Sequence, residues 1–473
     1  MQLRQARNHL KPKDMNVKLI LAGFAALCML SSCIKESDGG QSPNPPGAAQ
    51  DARAGIRLRV HGEPTDPLRG ETVKTIDVLV FDANSTLEEV MSCTPGDAVN
   101  GEFPLELKSG QKTFFAVLNN PAADAMGHIS WSVGATTLDD FRKSSFEAAR
   151  GNAQGIGPDL SVYKDGVFMM LSDGKEVLLE SDQFLRVELS CNRLGSKGQM
   201  LWKDIQLSPS FVDNDINPRN DDIADNDGDP VSKVTEHLSL DQTAGFQLMN
   251  VQGTMWVAAP AAPAEDAPLG ALLPWADSYG NGWLTARTDN YTTALNESSY
   301  ATENIVPSNP KKNQVTCMLV KAQALWDGQK PGALYAIIKF TDAAKSYRHV
   351  EEYLGVYNNK AEAEKKLAQL QGNAALKDLV DIREYKDGIV YYRVDLLDWE
   401  KVEPGKDMQG AASIRRNSFY QVKIGDILNL GWNNPADLVD PEDDRPVSNP
   451  WVDVQATITV ADWVTIDQEG EIG

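Results

Sequence analysis

A period of two constrains this chain most. Short runs that alternate apolar with polar residues recur along it: Ile56-Arg-Leu-Arg-Val60, Ile76-Asp-Val-Leu-Val-Phe81, Phe103-Pro-Leu-Glu-Leu107 and Phe184-Leu-Arg-Val-Glu-Leu189. Side chains point alternately to the two faces of a strand, so each run supplies one apolar face to a sheet. Thr113–Leu118 is a continuous apolar strand candidate, and Asp82-Ala-Asn84 and Ser109-Gly110 read as turns. The second half repeats the pattern at Phe246–Asn250, Ala333–Phe340, Ile389–Leu396, Phe419–Ile424 and Val452–Val460. Strands this short and closely spaced predict a mainly β fold of antiparallel β-sandwiches. One helix is expected, Ala361–Val380, with Leu367, Leu370 and Leu379 on one face and Gly372 weakening its middle.

The N-terminus reads as a processing segment. Lys18 precedes an apolar run from Leu19 to Leu30, which leads into Ser31-Ser32-Cys33. A basic start, an apolar stretch and a small-residue exit form a signal peptide, and the run is shorter than the ~20 residues of a membrane span. A cysteine at this exit resembles the bacterial lipobox, so Cys33 is the expected acylation site and residues 1–32 the signal, with Met15 a better initiator than Met1. Each buried methylene of an acyl chain contributes ~0.8 kcal/mol to membrane attachment. Residues 33–53, rich in Pro, Gly and small polar residues, are a flexible tether. An acidic, Asn- and Pro-containing stretch from Asp213 to Asp229 is an expected exposed loop. A domain boundary near 240 follows it, giving domains 54–240 and 241–473.

Charge and motifs narrow the function. The net charge of −22 deepens to −26 once residues 1–32, with five Lys/Arg and one Asp, are set aside. Such a chain is repelled by nucleic acid and suits a solvated exterior. After Cys33 only Cys93, Cys191 and Cys317 remain, too scattered for a zinc site or a disulfide framework. They are expected as buried thiols. No HExxH, GxSxG, phosphate-loop or dinucleotide-glycine pattern occurs, so no catalytic residues and no cofactor are expected, and the chain is not read as an enzyme. Asp213-x-Asp215-x-Asn217 opens like a calcium loop, but Pro218 stands where the turn glycine belongs, which excludes an EF-hand. A looser calcium site among Asp213, Asp215, Asp221, Asp222, Asp225 and Asp227 stays open.

The ordered segments carry a resemblance. The lipobox is followed by Ala54–Val60, Val73–Asp82, Gly110–Asn119, Phe246–Asn250, Tyr300–Asn304, Arg416–Ile424 and the closing stretch Val452–Trp463. In this order the chain resembles the fimbrillins of Bacteroidia, the subunits of type V pili, and within them the short-fimbria major subunit family. It departs at Cys191, where an ordinary strand apolar residue is expected, and in the long acidic loop.

The resemblance implies two transthyretin-like β-sandwich domains, export as an outer-membrane lipoprotein, and then arginine-specific proteolysis. The cut removes the first strand with its lipid and opens a groove, which a C-terminal strand of another subunit fills. That is β-augmentation, with affinity from backbone hydrogen bonds and specificity from alternate side chains. Transferred to this sequence, the removable strand carries Ile56, Leu58 and Val60 inward, and the processing bond is Arg69-Gly70, with Arg53 as runner-up. The exchanged donor strand carries Trp463, Val464 and Ile466. The implied partners are other fimbrial subunits, an arginine-specific protease and the lipoprotein export machinery. The implied location is the cell surface and its fimbrium, where the protein supports adhesion and biofilm. The competing reading is a cell-surface glycan-binding lipoprotein that uses Trp202, Trp283, Trp326 or Trp432.

Overall fold

The alternating runs form strands. The computed structural model describes residues 51–60, 73–151, 158–164, 166–208, 234–258, 272–273, 283–291, 297–398, 401, 408–447 and 454–462. Strand β1 is Asp51–Val60, β2 Ile76–Phe81, β3 Leu87–Cys93, β4 Phe103–Lys108 and β5 Gly110–Leu118. Then come β6, Met170–Ser172, β7, Lys175–Leu179, and β8, Phe184–Arg193. They make an eight-stranded sheet in the order β3-β2-β5-β6-β8-β1-β4, with β7 also on β5. Its pairs are antiparallel except β1 with β8, which run parallel. In β4 the residues are buried and exposed strictly by turns, as its sequence alternates. β5, flanked by β2 and β6, buries both faces from Thr113 to Leu118.

Leu194, fully buried, is all that separates β8 from β9, Gly195–Leu201. There the chain leaves the first sheet and enters another. β9 lies between Ser299–Thr302 and Ser418–Ile427, and the latter pairs with Val454–Asp462. A third sheet joins Leu238–Met249, Cys317–Trp326 and Ile389–Asp395. A fourth sets Ala333–Phe340 between Val350–Tyr357 and Val380–Lys386. The fold is therefore mainly β, as expected. Sheet membership changes at Leu194 rather than near 240, because β9 pairs only with strands from the second half. A further pair, Ser145–Glu147 with Thr254–Trp256, also crosses 240, and residues 49–473 belong to one compact unit.

The helix is shorter than its apolar spacing suggests. It spans Lys360–Gln371, capped by the Asn359 side chain, which accepts from the Ala361 N–H at 2.9 Å. Gly372 is its C-cap, not a weak middle, and its N–H bonds back to the carbonyls of Ala368 and Gln369. Leu370 is buried against Ile337, Tyr357 and Val380, whereas Leu379 lies beyond the helix, just before the next strand. Cys191 and Cys317 are fully buried, Cys93 is half-buried, and all three are free thiols.

Candidate functional site

β1 is where sequence and fold converge. Its alternation turns Ala52, Ala54, Ile56 and Leu58 into the core, none more than 3% exposed. Val60 extends the register opposite Cys191. The strand lies between β4, paired from Asp51↔Lys108 to Ile56↔Phe103, and β8, paired from Arg53↔Phe184 to Val60↔Cys191. Neither neighbour forms a hairpin with it. A parallel pair requires a crossover connection, so β1 meets β8 only after the chain has travelled through β2 to β7.

The outward face of β1 is a row of charges. Asp51 pairs with Lys108, Arg53 with Glu106 at 3.8 Å, Arg57 with Glu102 at 3.0 Å, and Arg59 with Glu188. The Lys108 ammonium, hydrogen-bonded to Asp51, holds that carboxyl below its usual value. Glu102 also takes Arg186 of β8 at 2.7 Å, so one carboxylate fastens β1 to β8. Exposed pairs of this kind contribute ~0–1 kcal/mol each, so the strand is held mainly by its backbone bonds and apolar face. Gly55 has no side chain because the Phe184 ring of β8 covers it. Sequence reading missed Glu102 and Phe184. A glycine inside an alternating strand was the available signal of a close approach.

The other expected site residues divide cleanly. Ile56 and Leu58 are where the alternation placed them. Cys33, Arg69, Gly70, Trp463, Val464, Ile466 and the Asp213–Asp229 loop lie outside the described residues. Arg53, the alternative cleavage point, is the third residue of β1, and its N–H donates to Gln183 O at 3.1 Å. At the other end Val454–Asp462 is a resident strand on Ser418–Ile427, with Ala456 and Ile458 buried and Thr457 and Thr459 exposed. The candidate donor segment, expected over Asp462–Gly473, overlaps this strand at Asp462, and the rest of it lies outside the described residues.

The tryptophans of the competing reading are engaged internally. Trp202 and Trp432 are each 1% exposed, and their indole N–H groups donate to Asp241 O at 3.0 Å and Asp437 Oδ2 at 2.7 Å. Trp326 stacks on His237 with ring centroids 5.2 Å apart, and Trp283 packs against Tyr391. Among the described residues no His, Cys, Asp and Glu side chains gather as a metal site.

The model of the C-terminal part of the major fimbrial subunit protein type IV, fimbrillin, matches residues 383–469. No curated protein matches the sequence. Among solved structures, a fimbrilin of Porphyromonas gingivalis W83 is 13% identical with a TM-score of 0.45, covering 88% of this chain and 99% of its own. The tip fimbrial protein Mfa3 of Porphyromonas gingivalis, truncated at its C-terminus, is 14% identical with a TM-score of 0.35, covering 87% and 100%. Likeness this remote leaves the roles of those proteins with them. Over residues 383–469 the C-terminal region of this chain is similar to the C-terminal part of fimbrillin.

Proposed function

We propose that the protein is a structural subunit of a type V fimbria, exported as a lipoprotein acylated at Cys33 and polymerised by strand exchange after cleavage at Arg69-Gly70. It performs no catalysis in this reading and serves surface adhesion through the polymer. The observation that carries the proposal is the seat of β1. It is an inner strand with a buried apolar face, flanked by strands to which no hairpin ties it. A cut between β1 and β2 leaves it held by non-covalent contacts alone. Its departure uncovers the sites of Ile56 and Leu58, each worth roughly 1.5–3 kcal/mol of burial. It also frees the inner edges of β4 and β8, which an incoming strand can satisfy. The domain carrying β1 is then the acceptor. The donor is the segment with Trp463, Val464 and Ile466, which follows a strand already committed to its own sheet. The glycan-binding alternative draws no support from its four tryptophans, whose rings pack or bond within the chain.

N-terminal sequencing of surface-extracted protein, parent and Arg69→Ala, tests the reading. The parent is expected to start at Gly70 and run as a ladder on mild-heat gels, and the variant to remain a lipid-bound monomer. A normal ladder from Arg69→Ala moves the cut to another arginine. A parent that never forms a ladder overturns the fimbrial role itself.

A further inference from the structure

A cleft of about 650 Å³ opens where the first sheet meets the loops leading into Ser418–Ile427. It is distinct from the β1 seat and independent of the fimbrial reading. Its floor is apolar, from Phe115, Leu171 and Leu194, and its walls are unusually rich in donors. Ser172, 2% exposed, accepts the Ala116 N–H at 2.8 Å, and Ser413, 6% exposed, accepts the Val306 N–H at 3.1 Å. Each hydroxyl thus keeps a proton to donate, and neither gives it to a described residue. Arg142 and Arg415 stand exposed at the rim, Arg142 lying over the Phe115 ring at 5.6 Å, and neither forms an ion pair among the described residues. The third arginine, Arg416, is spent. It binds Glu303 at 2.9 Å and donates to the carbonyls of Trp256 and Val257. That pairing also removes Glu303 as a competing negative charge. Asp173 remains, taking a hydrogen bond from Asn192 at 3.3 Å.

In a chain of net charge −22, a cleft with two guanidinium groups that form no ion pair, and two hydroxyl protons given to no partner, among the described residues suits an oxyanion. The rest of the lining fits a ring that bears hydroxyls. Asp173 accepts from sugar hydroxyls, and the apolar floor takes the C–H face of a pyranose. The volume falls in the ~300–1,000 Å³ range of small-molecule sites. We infer that this cleft binds an acidic saccharide, its carboxylate held by Arg142 and Arg415, its hydroxyls by Asp173 and its apolar face against Leu171.

Calorimetric titration of the full-length, detergent-extracted protein with a glucuronate–N-acetylglucosamine disaccharide tests this, with cellobiose, sodium sulfate and a Glu-Glu dipeptide as the other arms. The acidic disaccharide is expected to bind best, cellobiose at least tenfold more weakly. The double variant R142Q/R415Q is expected to lose at least tenfold in affinity with an unchanged melting temperature, since both side chains are exposed. If that variant melts early, the single variant R415Q supplies the readout. Equal binding of cellobiose, binding by sulfate or dipeptide alone, unaltered affinity in the variants, or no binding overturns the proposal.

Discussion

A Cβ built on Gly55 would stand 2.5 Å from Cζ of Phe184 and 2.8 Å from Oε2 of Glu102. Both intruding atoms are ends of side chains, and Phe184 is 53% exposed, so the clash yields by moving the ring rather than the backbone. Alanine in a strand also loses less conformational entropy than glycine, by roughly 0.5–1 kcal/mol. The two effects oppose one another. Gly55→Ala is therefore expected to be near neutral in the parent and to stabilise by about 1 kcal/mol when Phe184→Ala has cleared the space. A double-mutant cycle by urea unfolding measures that coupling. Strict additivity would mean that the ring does not constrain β1.

The buried thiols give a pH dependence with a definite sign. Burial pushes Cys191 from its ordinary 9.0 up to about 12, with Asp173 adding to the shift, and pushes Cys317 up to about 11. A group whose folded pKa is raised keeps its full contribution below the unfolded value and loses it as pH rises towards the folded one. Stability is thus expected to fall between pH 9 and 12, by at most ~1.4 kcal/mol per pH unit for each thiol. Cys191→Ala with Cys317→Ala should flatten that decline in urea titrations at pH 8, 9 and 10. In the parent at pH 8, both thiols should resist a thiol reagent until the protein unfolds.

Arg416 and Glu303 are unequal partners. Burial pushes the Glu303 carboxyl up and outweighs the opposing pull of Arg416. Glu303→Gln keeps an acceptor for the guanidinium and removes the desolvated charge, so it is expected to cost about 1 kcal/mol or less. Arg416→Met strands a buried carboxylate and releases the carbonyls of Trp256 and Val257, which predicts a loss of roughly 3–5 kcal/mol. Urea midpoints for the two variants decide this, and equal losses would refute the asymmetry.

Particular residues explain how much of this was legible in the sequence. Alternation found β4 and the inward face of β1 because each has one wet and one dry side. It began β1 at Ala54 instead of Asp51, since Ala52 is too small to separate a strand from a tether. It missed β9 altogether. Gly195-Ser-Lys-Gly-Gln carries no apolar alternation, yet an inner position buries all of it. The polar atoms find partners there: Gln199 donates to Ser298 at 2.7 Å, and the Lys197 ammonium lies 4.3 Å from the Phe419 ring centre. With that strand, sheet membership changes at Leu194, ahead of the domain boundary expected near 240. Leu379 kept the helical spacing going past Gly372, although the backbone had already turned. Glu102 and Phe184 were invisible as site residues because they reach β1 from the turn before β4 and from β8, and no local pattern encodes that meeting.

The proposed acylation rests on one atom. Only a thiol takes the diacylglycerol thioether, so Cys33→Ser is expected to abolish incorporation of labelled fatty acid and to leave unprocessed precursor in the cell. Label retained at the parental level would place the lipid elsewhere or remove it from the account.

Polymerisation provides the last prediction, and the end of the resident strand sets its design. Asp462 pairs with Ser418, so a deletion that spares the second sheet begins at Trp463. Removing Trp463–Gly473 takes away Trp463, Val464 and Ile466. In the proposed exchange each of these buries a side chain worth roughly 1.5–3 kcal/mol, beside backbone hydrogen bonds of ~1 kcal/mol net apiece. Val454–Asp462 keeps Ala456 and Ile458 in place, so the shortened protein is expected to fold and to melt near the parent. After the first strand is cut away it still offers an open acceptor but has no donor to insert. It is therefore expected to elute as a monomer where the parent forms ladders, and to stop the growth of parental fibres when mixed with them. Size-exclusion chromatography of protease-treated parent, truncated protein and their mixture reads all three outcomes. If the truncated chain polymerises like the parent, the donor lies elsewhere in the sequence.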